Sequence, residues 1–317
     1  MEQNVIAVIW DFDKTLIKGY MQRPIFEKYD VDERLFWDEV NRLHDEYETQ
    51  GIKVNKETIY LNHFITCANQ GIFKDLNNSL LRELGQELEF YNGIPEIFVD
   101  LKNIVEKDER YRKHSITLEH YIVSTGLSEL IKGSKISEYV DGIWGCEFIE
   151  VPIKSNIEIK EYRKNEVEDN GIISQVGYAI DNTTKTRAIF EINKGVNKFR
   201  EIDVNSKLPY NMRRVPIENM IYIADGPSDV PVFSVLKQNG GTTFAVYAED
   251  SQEEFHQVER LRTDGRVDMY GPANYSRGTL TYMWLNKQVR NIAERIYFRL
   301  EHKVLSSVSK PPEHITD

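Results

Sequence analysis

An α/β architecture with a mostly parallel sheet is what this amino-acid sequence predicts, and three observations carry that prediction. Val5 to Trp10 is an unbroken apolar run rich in β-branched residues, the pattern of a strand covered on both faces. His120 to Val123 and Met220 to Ala224 are two more short apolar runs of the same kind, far apart in the chain. Between and after these runs apolar residues recur at helical spacing, so strands and helices alternate as a parallel sheet requires.

The first run stops at Asp11-Phe12-Asp13-Lys14-Thr15-Leu16, where two carboxylates flank one phenylalanine. In extended chain, residues two apart project to the same side, about 6.5 Å along the backbone. Both acids can therefore face one small substrate at the carboxyl end of a strand, where open α/β sheets bind their ligands. Alone, the same stretch also reads as a solvated turn. Phe36, Val40, Leu43 and Tyr47 then predict an amphipathic helix. Asn55 is a candidate cap for a second helix, which holds Ile59, Phe64, Ile65 and Ala68 and is closed by Gly71. Leu80, Leu84 and Leu88 form the stripe of a third. Residues 18–91 thus read as a helical module inserted directly after the first strand, and Tyr91-Asn92-Gly93-Ile94-Pro95 punctuates the return.

Ile97, Phe98, Leu101 and Ile104 suit a helix packed on the sheet. The run ending at Val123 is followed by Ser124-Thr125-Gly126 and a helix through Leu127, Leu130 and Ile131. Ile143 to Phe148 reads as a strand, and the polar stretch from Val151 to Ile180 as a hairpin with β-prone pieces at Ile157–Ile159 and Ile172–Ile180. Lys185 opens a helical pattern with Ala188, Ile189 and Ile192, closed by Gly195. The run from Met220 to Ala224 ends in Asp225-Gly226-Pro227-Ser228-Asp229, and Pro231 suits the first turn of a helix that Gly240 ends. Thr242 to Tyr247 is a further strand, and Ser276 to Val304 a long amphipathic helix. The predicted division is 1–17 with 92–270 as the α/β core, 18–91 as the helical module and 271–317 as a C-terminal helical extension of the core.

Composition bounds the function. The chain has 317 residues, 40% hydrophobic and 29% charged, enough to bury a sizeable core. Its formal charge of −11, with no dense basic block, argues against nucleic acid or an anionic membrane as partner. Cys67 and Cys146 have no metal-ligand spacing and form no disulfide framework, which suits a reducing compartment. The N-terminal apolar run lacks the basic leader of a signal peptide, and no stretch nears the roughly 18 apolar residues of a membrane span. The expected location is the cytoplasm.

Three apolar runs finish in Asp11/Asp13, Ser124/Thr125 and Asp225/Asp229. If they are parallel neighbours, these groups converge at one sheet edge. Crowded carboxylates demand neutralisation, and hard oxygen ligands with room for water select Mg²⁺ beside a substrate phosphate. A hydroxyl and a lysine would hold the remaining phosphate oxygens. One aspartate can be the nucleophile, with a second as acid/base for the leaving alcohol and the attacking water.

Residues 11–16 resemble the first motif of the haloacid-dehalogenase-like hydrolases. Ser124 after an apolar run is similar to that family's second motif, Lys185 at a helix start to its third, and Asp225-Gly226-Pro227-Ser228-Asp229 to its fourth. The order and spacing agree across residues 1 to about 250, and the inserted helices resemble the cap of the phosphoserine-phosphatase-like branch. The resemblance implies a three-layer, Rossmann-like core and a helical cap that closes over the site. It implies Asp11 as nucleophile and Mg²⁺ ligand, and Asp13 as general acid/base lending its backbone carbonyl to the metal. Ser124, with Thr125 beside it, would bind phosphate. Lys185 would bind phosphate and restrain the nucleophile, Asp225 would be a metal ligand, and Asp229 would orient the metal shell. Ala224 departs from the glycine common before the first aspartate of the fourth motif.

Each residue also has a plainer reading. Asp11 and Asp13 can be read as mere turn formers, and Asp225 and Asp229 as an Asp-Gly turn with a helix cap. Ser124 can be a helix N-cap, and Lys194 and Lys198 compete with Lys185. Tyr20 and Arg23 follow the first motif closely enough to reach a substrate's non-phosphate end. His44 and His63 form no ligand pattern, and Glu46 and Glu48 suit a solvated helix face. The expected activity is Mg²⁺-dependent hydrolysis of a small phosphorylated metabolite through an aspartyl-phosphate. The alternatives are a dehalogenase, against which Asp13 argues, and a phosphonate cleaver using one of Lys18, Lys28, Lys53, Lys56 or Lys74. A non-catalytic binding protein that kept the fold is the third.

Overall fold

The computed structural model describes residues 3–152, 171–199 and 201–308. Strands β1 (Val5–Trp10), β2 (Thr117–Leu127), β3 (Gly142–Ile149), β4 (Gln175–Tyr178), β5 (Met220–Ala224), β6 (Thr242–Tyr247) and β7 (Met269–Pro272) form one sheet in the order β4-β3-β2-β1-β5-β6-β7. Every neighbouring pair is parallel except β3 with β4. All six residues of β1 are buried, as its apolar run requires at the middle of a sheet covered on both faces. The chain builds outward from β1 on one side, through β2 and β3, and on the other through β5, β6 and β7. That reversal puts a crevice over the carboxyl ends of β1 and β5. Register aligns what lies there: Trp10 pairs with Ile122 of β2 and with Ile223 of β5. The residues just beyond are Asp11, Ser124 and Asp225.

The helices are α1 (Arg23–Tyr29), α2 (Glu33–Thr49), α3 (Lys56–Asn69), α4 (Asn78–Leu84), α5 (Glu96–Glu106), α6 (Glu109–Lys113), α7 (Ser128–Gly133), α8 (Lys185–Lys194), α9 (Val230–Gln238), α10 (Gln252–Thr263) and α11 (Leu280–Val308). Neighbouring residues of β2 show how they cover the sheet. The His120 ring meets the Phe98 carbonyl of α5 at 3.0 Å, while the Tyr121 hydroxyl meets Asn197, just past α8, at 3.3 Å. Successive strand residues point to opposite faces, so α5 and α8 lie on opposite sides. With the sheet between them, the core has three layers. Among the described residues no helix is long and apolar enough to cross a membrane.

Helices α1 to α4 sit between β1 and α5. Asp32, Asn55 and Asn77 cap α2, α3 and α4 by accepting backbone N–H groups. Phe26, Phe36, Phe64 and Phe73 form a buried aromatic cluster there, with Phe36 and Phe64 centroids 4.9 Å apart.

The architecture departs from sequence expectation in several places. The Leu80-Leu84-Leu88 stripe is no continuous helix: α4 stops at Leu84, and Gly85–Glu87 is a 3₁₀ turn. Here α4 packs against α7 so closely that a Cβ on Gly133 would lie 1.9 Å from the Arg82 carbonyl oxygen. Tyr47 is exposed, because α2 buries only Phe36 and Val40 fully. Ser124 does not cap a helix: β2 continues to Leu127, which precedes α7. The β-prone piece before Ile180 pairs antiparallel with β3, at Phe148 with Val176. The other β-prone piece, Ile157–Ile159, lies outside the described residues. Helices α1, α6 and α10 and strand β7 stand where the sequence predicted no element.

Candidate active site

The Asp11 N–H donates to the Ile223 carbonyl at 2.9 Å, extending the β1–β5 pairing one residue beyond the strand. The chain then turns, with the Leu16 N–H on the Phe12 carbonyl at 2.9 Å and Phe12 sunk into the core. Asp11 is thereby left at the strand tip with both carboxylate oxygens held. Lys185 Nζ donates to Oδ1 at 2.8 Å, and Thr15 Oγ1 to Oδ2 at 2.9 Å. The same ammonium donates to Asp229 Oδ1 at 2.7 Å. Tyr222 and Ser228 hydroxyls also donate to Asp229, at 2.5 Å and 2.8 Å. Asp11, Asp225 and Asp229 each bring a carboxylate oxygen within 4.8 Å of the others. Asp13 points elsewhere, accepting the Met21 N–H at 2.8 Å.

Electrostatics follow from burial. Burial pushes the Asp11 carboxyl up to about 6 against the pull of Lys185, with Asp229 adding repulsion. Burial, and then the neighbouring Asp11 charge, push Asp13 up to about 8, which makes it a proton donor at neutral pH. Asp225 is raised well above the usual carboxylate range by burial and by Asp11 and Asp229. Burial alone would lower Lys185, but the two carboxylates it touches raise it above its ordinary value. The cluster of three acids holds one lysine, and the Asp225 carboxylate accepts no hydrogen bond from the described residues. An all-oxygen donor set with charge left over fits a hard divalent cation such as Mg²⁺.

The other expected site residues divide into two groups. Ser124 is buried within β2, its Oγ accepting the Gly126 N–H at 3.0 Å. Thr125 follows, its carbonyl accepting from the Tyr60 hydroxyl at 2.7 Å. Tyr20 and Thr125 line a cavity of about 390 Å³ that reaches Asp13. Arg23 does not line it; its guanidinium pairs with Glu27 at 2.8 Å on the surface. Lys194 is spent on the Val204 and Ser206 carbonyls, and Lys198 lies 3.5 Å from the Asp141 carbonyl, so neither competes with Lys185. Of the lysines weighed for a Schiff base, Lys56 lines the cavity beside Asp13, at an exposed position. His63 pairs with Glu39 at 3.3 Å within the helical insert, and His44 lies beside Asp45 and Glu48. Glu46 and Glu48 are exposed on α2. Ala224 is fully buried and registers with Ala245, so its methyl group displaces no carboxylate.

Sequence reasoning missed Thr15, Tyr222 and Gln22. Tyr222 carried a signal, since a hydroxyl inside an otherwise aliphatic buried strand must find a partner. Gln22 carried none.

No protein-family model matches the chain. An uncharacterized protein of Borreliella burgdorferi is 38% identical over 291 residues, spanning 90% of this chain and 97% of that protein. The chain belongs to the same family as that protein. Solved structures similar to it include a HAD family hydrolase from Salmonella enterica serovar Typhi, 13% identical over 84% of this chain and 67% of that one, with a TM-score of 0.49. Another is a phosphoserine phosphatase held as a phospho-aspartyl intermediate analogue, 18% identical over 84% and 93%, with a TM-score of 0.44. A third is a dehalogenase, 10% identical over 88% and 96%, with a TM-score of 0.40. The strand order and the meeting of residues 11, 185, 225 and 229 at one sheet edge are the arrangement that the resemblance to the haloacid-dehalogenase-like fold implies.

Proposed function

We propose that this protein is a Mg²⁺-dependent phosphatase that hydrolyses a small phosphorylated metabolite through an aspartyl-phosphate. The observation that carries this reading is the Lys185 ammonium, which joins Asp11 to Asp229 within 4.8 Å reach of Asp225. Asp11, Asp225 and Asp229, with the Asp13 backbone carbonyl, would hold the cation. When bound, it would offset the charge of the phosphate oxygens.

In the first step one Asp11 oxygen attacks phosphorus and the ester P–O bond breaks. The departing alkoxide takes the proton of the Asp13 carboxyl, which burial keeps protonated near neutrality. In the second step the Asp13 carboxylate takes a proton from water as its oxygen attacks phosphorus. The bond to Asp11 then breaks, releasing inorganic phosphate and restoring both acids. Lys185 and the Ser124 hydroxyl, whose hydrogen has no acceptor among the described residues, would bind phosphate oxygens. The helical insert, standing over Asp13, would exclude water during the first step. A cytoplasmic setting belongs to the same proposal and is supported by two cysteines that are buried and unbridged.

The test is hydrolysis of para-nitrophenyl phosphate with Mg²⁺ and with chelator, alongside Asp11→Asn. Metal-dependent turnover that the variant lacks, with acid-quenched label trapped on Asp11, supports the proposal. Chelator-insensitive turnover, or an active Asp11→Asn protein, overturns it.

A further inference from the structure

The cavity beside Asp13 has a wall that the chemistry above does not use. Gln22 is 4% exposed, and its Oε1 has no hydrogen-bond partner. A buried amide oxygen left unpaired costs about 1–3 kcal/mol, and the Gln22 side chain lines the cavity of about 390 Å³ that also reaches Asp13. Across it stand the rings of Trp37 and Tyr60, centroids 5.7 Å apart. The Tyr60 hydroxyl is already committed to the Thr125 carbonyl, so that side chain has its ring left to offer. At the mouth, Lys56 and Glu57 are consecutive at the start of α3, and their opposite charges offset.

We infer that this cavity receives the leaving group of the substrate and that this group is a neutral, flat heterocycle bearing adjacent hydrogen-bond donors and acceptors, as in a nucleoside monophosphate. The inference rests on the phosphatase reading for its reaction and on the cavity for its specificity. A carboxamide matches the donor-acceptor edge of a nucleobase in either of its two orientations. Aromatic faces stack on any such base, at about 1–3 kcal/mol each. A strongly charged leaving group would meet no net opposite charge at Lys56 and Glu57. The volume lies within the usual range for small-molecule sites.

The experiment compares kcat/KM of the wild-type protein, with Mg²⁺, for uridine 5′-monophosphate and adenosine 5′-monophosphate against ribose 5-phosphate, which carries the same ester without a base. At least one nucleotide is expected to lead by about tenfold or more, and Gln22→Leu to shrink that ratio mainly through KM. A second measurement needs no turnover: the free nucleosides should quench tryptophan fluorescence, and less so in Trp37→Leu. Ribose 5-phosphate matching both nucleotides, or phosphoethanolamine exceeding them, overturns the inference. If para-nitrophenyl phosphate is also inert, the phosphatase reading fails separately, and nucleoside binding still decides this one.

Discussion

Lys185 and Gln22 are both buried polar residues, yet they are held in opposite ways. Lys185 is 2% exposed and satisfied by Asp11 and Asp229. Gln22 is 4% exposed and keeps an unpaired oxygen. The difference extends to their surroundings. At the strand ends, functional groups position one another, and removing one leaves a buried charge behind. In the helical insert, positions are set by the packing of Phe26, Phe36, Phe64 and Phe73, and Gln22 at the cavity keeps its amide oxygen unpaired. On the proposed reading, groups for the reaction are arranged in advance, while a group for recognition is left wanting a partner.

The sharpest way to break this contrast is Asp11→Asn. If Asp11 is the nucleophile, kcat falls by roughly 10⁴-fold or more, with the fold retained by circular dichroism. Asp13→Asn should cost about 10²- to 10⁴-fold for alkyl phosphates and much less for para-nitrophenyl phosphate, whose leaving group needs no proton. Equal losses on both esters would deny Asp13 its acid role.

In the helical insert, Phe64→Ala should destabilise by about 3–5 kcal/mol, because Phe64 is fully buried among four other rings. Denaturant unfolding with limited proteolysis checks whether this loss is local. Cleavage confined to residues 18–91 before the sheet unfolds would mean two cooperative units, and a single transition would mean one.

The smallest effect concerns His120, which lies in the sheet core between the Trp10 indole N–H at 3.2 Å and the Phe98 carbonyl. Burial lowers its pKa from 6.5 to about 3. Between those values the unfolded chain binds a proton that the folded chain refuses. Its contribution to stability is therefore complete above pH 6.5 and is lost as pH falls, at about 1.4 kcal/mol per unit. Urea melts from pH 7 to 4.5 should show a shallower acid loss in His120→Asn than in the wild type. The raised carboxyls of the site act with the opposite sign in both proteins, so the difference isolates His120.

The reach of sequence reading differed between the regions for the same reason. The β1 and β5 runs lack charged residues because both faces of a parallel sheet are covered, so the acids ending them were conspicuous. The α3 cap at Asn55 and the α8 boundaries at Lys185 and Gly195 were legible from local chemistry. By contrast α10 has few buried residues, Val258 and Leu261, and β7 is four residues long and mostly half-buried, so neither carries a periodic signal. Arg23 and Tyr20 looked alike beside the first motif, but α1 turns Arg23 toward Glu27 while Tyr20 stays at the cavity.

By itself the sequence determined that strands end in carboxylates, that α3 is capped at Asn55 and what acid-base chemistry those residues allow, because these are properties of neighbours along the chain. The tertiary structure alone decided that residues 11, 185, 225 and 229 meet, that Lys185 rather than Lys194 or Lys198 reaches them, and that Gln22 is buried with an oxygen unpaired. Those depend on strand order and on the packing of helices onto the crevice, which bring together groups separated by up to 218 positions, from 11 to 229.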